Sequence, residues 1–436
     1  MLSTQPYKGT RDFYPEDKRL QKFLFNSVRN CLEKYGYEEY DAPIVEPIEM
    51  FTAKSGEEIV NEQTYLFEDR GGRQVTLRPE MTPSVSRLVA GRRQELAYPL
   101  RWYSIPNLWR YERPQRGRLR EHWQINVDIF GVDSIEAESE LIRVADDMLK
   151  TFGATSDQFV IKLNSRKFVD FLFLEYFNLD KKSAAKVIKL IDRMHKLEPI
   201  KFKTTLEEII SESNVESSVS AQIIELMSKK HIEYLPLDVR SHSSLQNLEL
   251  LMNKLNNQGV TNVIFDITLM RGFDYYTDVV FEIFDTNPEN NRAIMGGGRY
   301  DGLVGLFGVE PIATAGFGLG DVTLQDFLTT HNILPKVSVE TDIYAITLGN
   351  NSIEANNIIT KLRAKGINIA LDITDRKLAA KIKTASKKNI PFAMFIGDDE
   401  IEKNKVVLRN LASGEEDSHS VDEVVKFIRT FHSQKQ

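Results

Sequence analysis

Apolar residues at Leu20, Phe23, Leu24, Val28 and Leu32 recur at three- and four-residue steps, which predicts an amphipathic helix near the start of the chain. Short β-rich runs follow near 74–77, 100–109 and 123–130. The mixture predicts an α+β domain built on an antiparallel sheet with helices. From about 166 to 255 the pattern turns helical and rich in Lys, Leu and Ile, as in KKSAAKVIKLIDRMHKL, with Ser/Asn-rich joints near 211–220 and 241–247. Strand-like patterning returns in NVIFDITLM (262–270) and DVVFEIF (278–284), ahead of a Gly-rich stretch, IMGGGRYDGLVGLFG. A helical domain inserted into one sheet accounts for this order. Past about 335 the chain alternates IYAITLG, a helix from about 351 to 365, INIALDI, a helix from about 375 to 388, PFAMFIG, VVLRNL and a last helix from about 421 to 431. That spacing predicts a small α/β module with a mostly parallel sheet. The expected division is therefore 1–165 and 256–332 as two parts of one domain, 166–255 as the insertion and 335–436 as a separate module. Neither an internal repeat nor a low-complexity segment is visible.

A length of 436 residues suits about three domains, and an apolar content of 42% is enough to give them cores. The net charge is −7, so any contact with nucleic acid has to be local. Cys31 is the single cysteine, which excludes an intramolecular disulfide and a cysteine-cluster zinc site and fits a reducing compartment, the cytoplasm by default. The N-terminus MLSTQPYKGTRDFYPEDKRL has no signal-type apolar core, and no run approaches the ~18 apolar residues of a membrane span. Export and membrane insertion are not expected.

Positive charge concentrates twice. Arg110, Arg113, Arg116, Arg118 and Arg120 stand against the single acid Glu112, with Pro114 and Gly117 marking a loop between the apolar runs WYSIPNLW and WQINVDIFG. Five guanidiniums this close repel one another unless anions hold them, and arginine grips phosphate in bidentate fashion. A solvated charged hairpin is the plain alternative. The apolar flanks favour a hairpin that aims an Arg-rich tip at phosphates. Residues 361–388 hold nine Lys/Arg against two Asp, much of it on RKLAAKIKTASKK, read as a helix begun by Thr374 or Asp375 with an apolar stripe of Leu378, Ile382 and Ala385. An ordinary amphipathic surface helix and an RNA-contacting one fit that segment equally well.

Several familiar chemistries are excluded. There is no GxxxxGK[ST] phosphate loop, and neither GGGRYDG nor GFGLGD has the spacing of a dinucleotide fingerprint. The seven histidines show no pair at metal-ligand spacing. LMSKKH (226–231) is similar to the lysine loop of class I aminoacyl-tRNA synthetases, but the matching HIGH tetrapeptide is absent. What remains is a set of polar residues in apolar or Gly-rich surroundings: Glu80 in TLRPEMTP, Arg110, Gln124 and Asp128 around the arginine hairpin, and Arg271 to Tyr276 in RGFDYY. Burying such groups is costly unless they pair with each other or with a ligand. A purely structural ion-pair network and a ligand site both satisfy that condition.

These segments together resemble class II aminoacyl-tRNA synthetases and, among them, the histidyl-tRNA synthetase family. The likeness runs from YKGTRDFYP (7–15) through GYEEYDAPIVEP (36–47), which resembles motif 1, to TLRPEMT, and then to WRYERPQRGRLREHWQ, which resembles motif 2. LMRGFDYYTDVVFE and GGGRYDGL resemble two histidine-specific signatures, and the α/β module resembles an anticodon-binding domain. It covers nearly the whole chain apart from the helical insertion. The resemblance implies a class II catalytic domain in two parts, a two-step reaction of L-histidine with ATP and then tRNA(His), Mg2+ arriving with ATP, and a homodimer. It also implies roles. Arg110 and Arg271 would hold the α-phosphate from opposite sides, and Glu80 with Thr82, beside Met81, would receive the α-amino group. Gln124 and Asp128 would line the amino-acid site, and Tyr275, Tyr276 and Tyr300 the imidazole pocket. Arg118 and Gln124 would join Arg110 and Arg271 on ATP. Arg113, Arg116 and Arg120 on the hairpin, and Arg376, Lys377 and Lys381 on the C-terminal helix, would meet tRNA.

One departure stands out. Motif 3 in this family normally ends in GLERL, whose arginine binds the γ-phosphate, whereas this chain reads GFGLGDVTL and has Thr323 at that place. The γ-phosphate contact is left without an assigned residue. The rival reading is the synthetase-like regulatory subunit of ATP phosphoribosyltransferase, a binding protein that usually lacks the C-terminal module; Arg271 and residues 335–436 argue against it. A generic RNA-binding protein would leave Glu80, Gln124 and Arg271 unexplained.

Overall fold

The structure, a computed structural model, describes residues 2–52, 63–270, 275–290, 292–349 and 352–434. It divides into two compact units, one of residues 1–12 and 24–335 and one of residues 13–23 and 336–436.

The first unit is organised by a nine-stranded sheet. Its order is Glu38–Glu39, Leu100–Ser104, Glu121–Phe130, Thr314–Gly320, Ala293–Arg299, Val279–Asp285, Phe159–Ser165 and Val263–Phe265, with Asn107–Trp109 also paired to Glu121–Phe130. All pairings are antiparallel except the two at the ends of this order. The sheet thus has the antiparallel character that the strand runs predicted, and the Gly-rich stretch, which the sequence left unassigned, supplies one of its central strands. The expected strand 262–270 is confined to Val263–Phe265. A second, three-stranded antiparallel sheet joins Val45–Pro47, Gln74–Leu77 and Tyr65–Glu68.

The helix Pro15–Lys34 buries Leu24, Phe25, Val28, Cys31 and Leu32; of the expected stripe Leu20 is half-buried and Phe23 is exposed, at 41%. The helix Glu136–Thr151 buries Leu141, Ile142, Val144, Ala145, Met148 and Leu149 against the sheet. Between the neighbouring strands Phe159–Ser165 and Val279–Asp285, residues 166–257 carry helices and turns only. These helices belong to the first unit.

The second unit centres on a five-stranded sheet ordered Ile369–Leu371, Ile343–Thr347, Phe392–Ile396, Val406–Asn410 and Glu416–His419. The first two pairings are parallel and the last two antiparallel, so the sheet is mixed where a mostly parallel one was expected. The difference lies in the hairpin that carries the chain from Val406–Asn410 straight into Glu416–His419, with no crossover helix between them. The basic helix spans Leu378–Lys387 and its N-cap is Lys377, later than the Thr374 or Asp375 start expected. Asp372 draws Thr374 into a tight turn by accepting from its N–H at 2.8 Å and its hydroxyl at 2.6 Å, so the helix starts only beyond that turn.

The most deeply buried ion pair ties the sheet to a helix. Arg299 donates to both oxygens of Glu138 at 2.6 and 2.8 Å, with side-chain exposures of 4% and 1%, and its remaining N–H groups reach the Val132 and Ser134 carbonyls. Arg299→Met leaves Glu138 charged and uncompensated in the interior, so unfolding by urea should show a loss of about 3–5 kcal/mol. A loss below about 1 kcal/mol would mean that water solvates Glu138 in the variant.

Candidate active site

Side chains alternate across a strand, so Gln124, Asn126 and Asp128 of Glu121–Phe130 share one face. The residues opposite them on Thr314–Gly320 are all glycine: Gly320 to Gln124, Gly318 to Asn126 and Gly316 to Asp128. On the next strand Gly296 faces Gly318, and Gly298 faces Gly316. A methyl group at Gly316 would stand 2.1 Å from Asp128 Oδ1, and one at Gly318 would stand 2.9 Å from the Gln124 amide. The polar side chains therefore lie over bare backbone. Above this floor is a cavity of about 100 Å³ walled by Glu80, Thr82, Arg110, Tyr275, Tyr276 and Tyr300.

The walls are held from outside the cavity. Helix Thr82–Gly91 starts directly after Glu80 and Met81, with Pro83 in its first turn, and this places Glu80 and Thr82 at its mouth. Arg110 Nε donates to the Pro79 carbonyl at 2.8 Å, and its backbone N–H to Arg120 O at 2.8 Å. The Tyr275 hydroxyl stands 3.5 Å from Glu80 Oε2. Tyr275 packs on Tyr276 and Tyr300 at ring separations of 4.9 and 5.7 Å. Tyr300 donates a short hydrogen bond to Asp128, which is 4% exposed. Burial pushes the Asp128 carboxyl up to about 7, against the opposing effect of the hydrogen bond from Tyr300 and of the nearby Tyr40 hydroxyl. Burial and the adjacent carboxylate likewise raise the Tyr300 phenol well above its ordinary range.

Of the residues singled out from sequence, Glu80, Thr82, Arg110, Gln124, Asp128, Tyr275, Tyr276 and Tyr300 meet at this cavity. Met81 does not join them; its side chain is fully buried, with its sulfur 3.9 Å from an Arg78 nitrogen. Arg271 lies outside the described residues. Asn126 and the glycine floor were missed. The signal for Asn126 was its place between Gln124 and Asp128 at a period of two, and the signal for the floor was the alternation of glycine in GFGLG.

The hairpin arginines separate by partner. Arg118 pairs with Glu112 at 2.6 Å, and Arg116 reaches Glu289 at 3.5 Å. Arg120 is sandwiched between Tyr111 and Tyr7, 4.1 and 5.4 Å from the ring centres, and bonds the Tyr7 hydroxyl. Arg113 is exposed. His122, half-buried, is pushed down to about 3 by desolvation and by the nearby Arg110, Arg11 and Arg118, and is neutral at physiological pH. Asp321 of GFGLGD accepts from Arg11 at 2.7 Å and from the Trp123 N–H at 2.9 Å, so the acid of this variant motif clamps three segments together. Thr323 donates to the Ile294 and Gly320 carbonyls at 2.8 and 3.1 Å. In the second unit Arg376 and Lys381 both turn to the buried Asp372, at 3.4 and 3.5 Å, whereas Lys377 is exposed.

Among the described residues no group of three His, Cys, Asp or Glu is placed to hold a metal ion, and no helix is long and apolar enough to cross a membrane.

A central antiparallel sheet carrying an arginine-lined, carboxylate-bearing cleft, with a separate mixed-sheet module behind it in sequence, defines a class II aminoacyl-tRNA synthetase. The family model described as histidyl-tRNA synthetase matches residues 9–321, and an anticodon-binding-domain model matches residues 342–431. The chain is 42% identical over 431 residues to a histidine–tRNA ligase of Leptospira biflexa, covering 98% of each. It is 36% identical over 429 residues to the enzyme of that name from Thermoplasma volcanium, covering 98% of this chain and 99% of that one. Its fold resembles the crystal structure of histidyl-tRNA synthetase from Nostoc sp. PCC 7120, with TM-score 0.82 and 22% identity over 99% and 100% of the two chains. The chain belongs to the histidyl-tRNA synthetase family.

The raised Asp128 carboxyl gives a test of the site's electrostatics. An unfolded aspartate titrates near ~4, so a folded value of about 7 means stability from this group is complete below ~4 and is lost as pH rises through 7. Asp128→Asn mimics the protonated form and should raise the thermal midpoint more at pH 8 than at pH 5. An equal gain at both pH values would show that the carboxyl is not desolvated.

Proposed function

We propose that the chain activates L-histidine with ATP to histidyl-adenylate and pyrophosphate, and then transfers the histidyl group to the 3′-end ribose of tRNA(His). ATP enters with Mg2+ as substrate. The observation that carries this reading is the glycine-floored cavity, which joins a phosphate-binding arginine, Arg110, to two buried carboxylates and a tyrosine box.

The chemistry needs little beyond positioning and charge. The histidine carboxylate attacks the α-phosphorus and pyrophosphate leaves in line, so no general base is required. Glu80 and Thr82 take the α-ammonium group, which brings the carboxylate toward Arg110. Fixed by Pro79 through Nε, Arg110 turns the rest of its fork to the α-phosphate. The family resemblance assigns Arg271 to the opposite side of that phosphate. Asp128 accepts from the imidazole while Tyr300 and Tyr276 shape the pocket around it, and Gln124 spans the amino-acid and nucleotide sides. A neutral imidazole offers one donor and one acceptor, which suits a carboxylate with a phenol beside it. Arg113, Arg116 and Lys377, all exposed, are the cations assigned to tRNA on this reading. Arg120, Arg376 and Lys381 spend part of their bonding on tyrosines or Asp372 and act mainly through the shape of the surfaces they brace.

The regulatory-subunit alternative is the weaker one, because such a paralogue usually lacks the C-terminal module that residues 342–431 provide. Pyrophosphate exchange measured with each amino acid in turn tests the proposal. Histidine alone should support exchange; a wild-type enzyme that exchanges with none, or equally with several, overturns it.

A homodimer is part of the same reading. The small sheet beside the motif 1 segment exposes Ile44, Val45, Leu66 and Phe67 at 46, 46, 55 and 42%. Clustered apolar exposure of this kind marks an interface. The free thiol Cys31 is buried and suits work in the cytoplasm. Light scattering should give the mass of two chains, and changing both Leu66 and Phe67 to Ser should lower it to that of one; a monomeric wild type contradicts the assignment.

A further inference from the structure

Thr323 occupies the place at which the family's motif 3 arginine would meet the γ-phosphate, and its hydroxyl is fully engaged by the Ile294 and Gly320 carbonyls. A hydroxyl donating to backbone has no proton left for phosphate. Directly beside it lies a second cavity of about 330 Å³, lined by Arg116, Gly117, Arg292, Ile294, Thr323 and Asp326.

Arg292 is distinctive within this wall. It is half-buried and makes no hydrogen bond or ion pair among the described residues. The two neighbouring arginines are accounted for: Arg118 has Glu112 and Arg116 has Glu289, while the carboxyl of Asp326 shares the wall. Burial and repulsion from Arg118 weigh against the charge of Arg292 and lower its affinity for a proton, with a smaller opposing attraction from Glu112. A guanidinium keeps its charge in such a place at a cost, and an incoming anion removes that cost. The stem is held close: a methyl group on Gly117 would stand 3.1 Å from Arg292 Cδ and 3.6 Å from Thr323 Cγ2.

The position fits the tail of a nucleotide. Ile294 walls this cavity and Gly296 the first, two residues apart on one strand, or about 7 Å, with a bulge at Ile294 between them. That offset is within the span of a triphosphate, so one held at its α-phosphate by Arg110 would extend its far end toward the second cavity. We propose that Arg292 binds the γ-phosphate of ATP and the leaving pyrophosphate, taking the place of the arginine that Thr323 replaces. The assignment rests on the ligase reading above and makes Arg292 a substrate-binding residue for the first step only.

Arg292→Gln and Arg292→Lys test it. Charged hydrogen bonds to phosphate set the scale, so KM for ATP and KM for pyrophosphate in the exchange reaction should each rise about tenfold to a hundredfold in the glutamine variant. The lysine variant, which keeps the charge without the fork, should fall between it and the wild type. KM for histidine, the affinity for AMP by calorimetry and the rate of transfer from preformed adenylate to tRNA should stay within about twofold. Unchanged KM values for ATP and pyrophosphate overturn the proposal, as does a loss that falls equally on histidine and AMP, which would mark a structural role. Should the glutamine variant fail to fold, the lysine variant decides by the same comparison. A wild type without histidine-dependent exchange would instead defeat the ligase reading and leave Arg292 to be judged by ATP against AMP binding alone.

Discussion

The site depends on a sterically enforced close approach. Gly296, Gly298, Gly316 and Gly318 face one another on adjacent strands, and side chains from the neighbouring elements occupy the space their missing Cβ atoms leave. Asp128 lies over Gly316, Gln124 over Gly318 and the Tyr276 ring over Gly298. An alanine at Gly316 would collide with the carboxylate oxygen at 2.1 Å, and the displaced Asp128 would lose its bond to Tyr300. Glycine in a strand interior ordinarily weakens it. Here that weakness is offset from outside the strip, chiefly by Arg299, the residue that follows the glycine run and locks its strand to helix Glu136–Thr151 through Glu138.

This division of labour explains which residues were legible beforehand. Glu80, Arg110, Gln124, Asp128 and Tyr300 could be singled out because polar groups in apolar context need partners, and the fold brings them to one cavity. Asn126 has the same context but lay between two more familiar positions, and the glycines carry no chemistry until their strands are paired. Strand pairing is a long-range fact that periodicity does not encode. The same limit explains the second unit: strand lengths could be read, but the antiparallel turn of Val406–Asn410 into Glu416–His419 could not. Met81 illustrates a local limit. Next to Glu80 in sequence, it starts a helix and turns into the core, because consecutive residues at a helix start face different ways.

Charge density in the sequence also proved a coarse guide. The five arginines of the hairpin look alike on paper, yet four of them meet different partners: a backbone carbonyl for Arg110, a buried glutamate for Arg118, an exposed glutamate for Arg116 and two tyrosine faces for Arg120. Only Arg113 is left to solvent. The basic C-terminal helix behaves similarly, with Arg376 and Lys381 drawn to Asp372, whose carboxyl is held well below its usual range by hydrogen bonds from Thr374 and Tyr344 despite its burial. A run of cations is therefore several separate electrostatic problems, each solved by the nearest acceptor that the fold supplies.

The two cavities show complementary ways of leaving such a problem unsolved. In the first, Asp128 is a buried acid whose partners, Tyr300 and Tyr40, do not suffice to keep it at its ordinary value, so a donor entering the pocket gains more from it than from a solvated carboxylate. In the second, Arg292 is a cation pressed by another cation, and an entering anion gains in the same way. Asp128 lies over the glycine floor, and Arg292 lines the neighbouring cavity just ahead of strand Ala293–Arg299. On the proposed reading, a ligand bound at either point would return the stability that burial of the group costs. On the face that carries the first cavity the strands Thr314–Gly320 and Ala293–Arg299 meet through glycines, so a ligand there would pack directly on backbone, while Met295, Phe317 and Leu319 are buried on the opposite face.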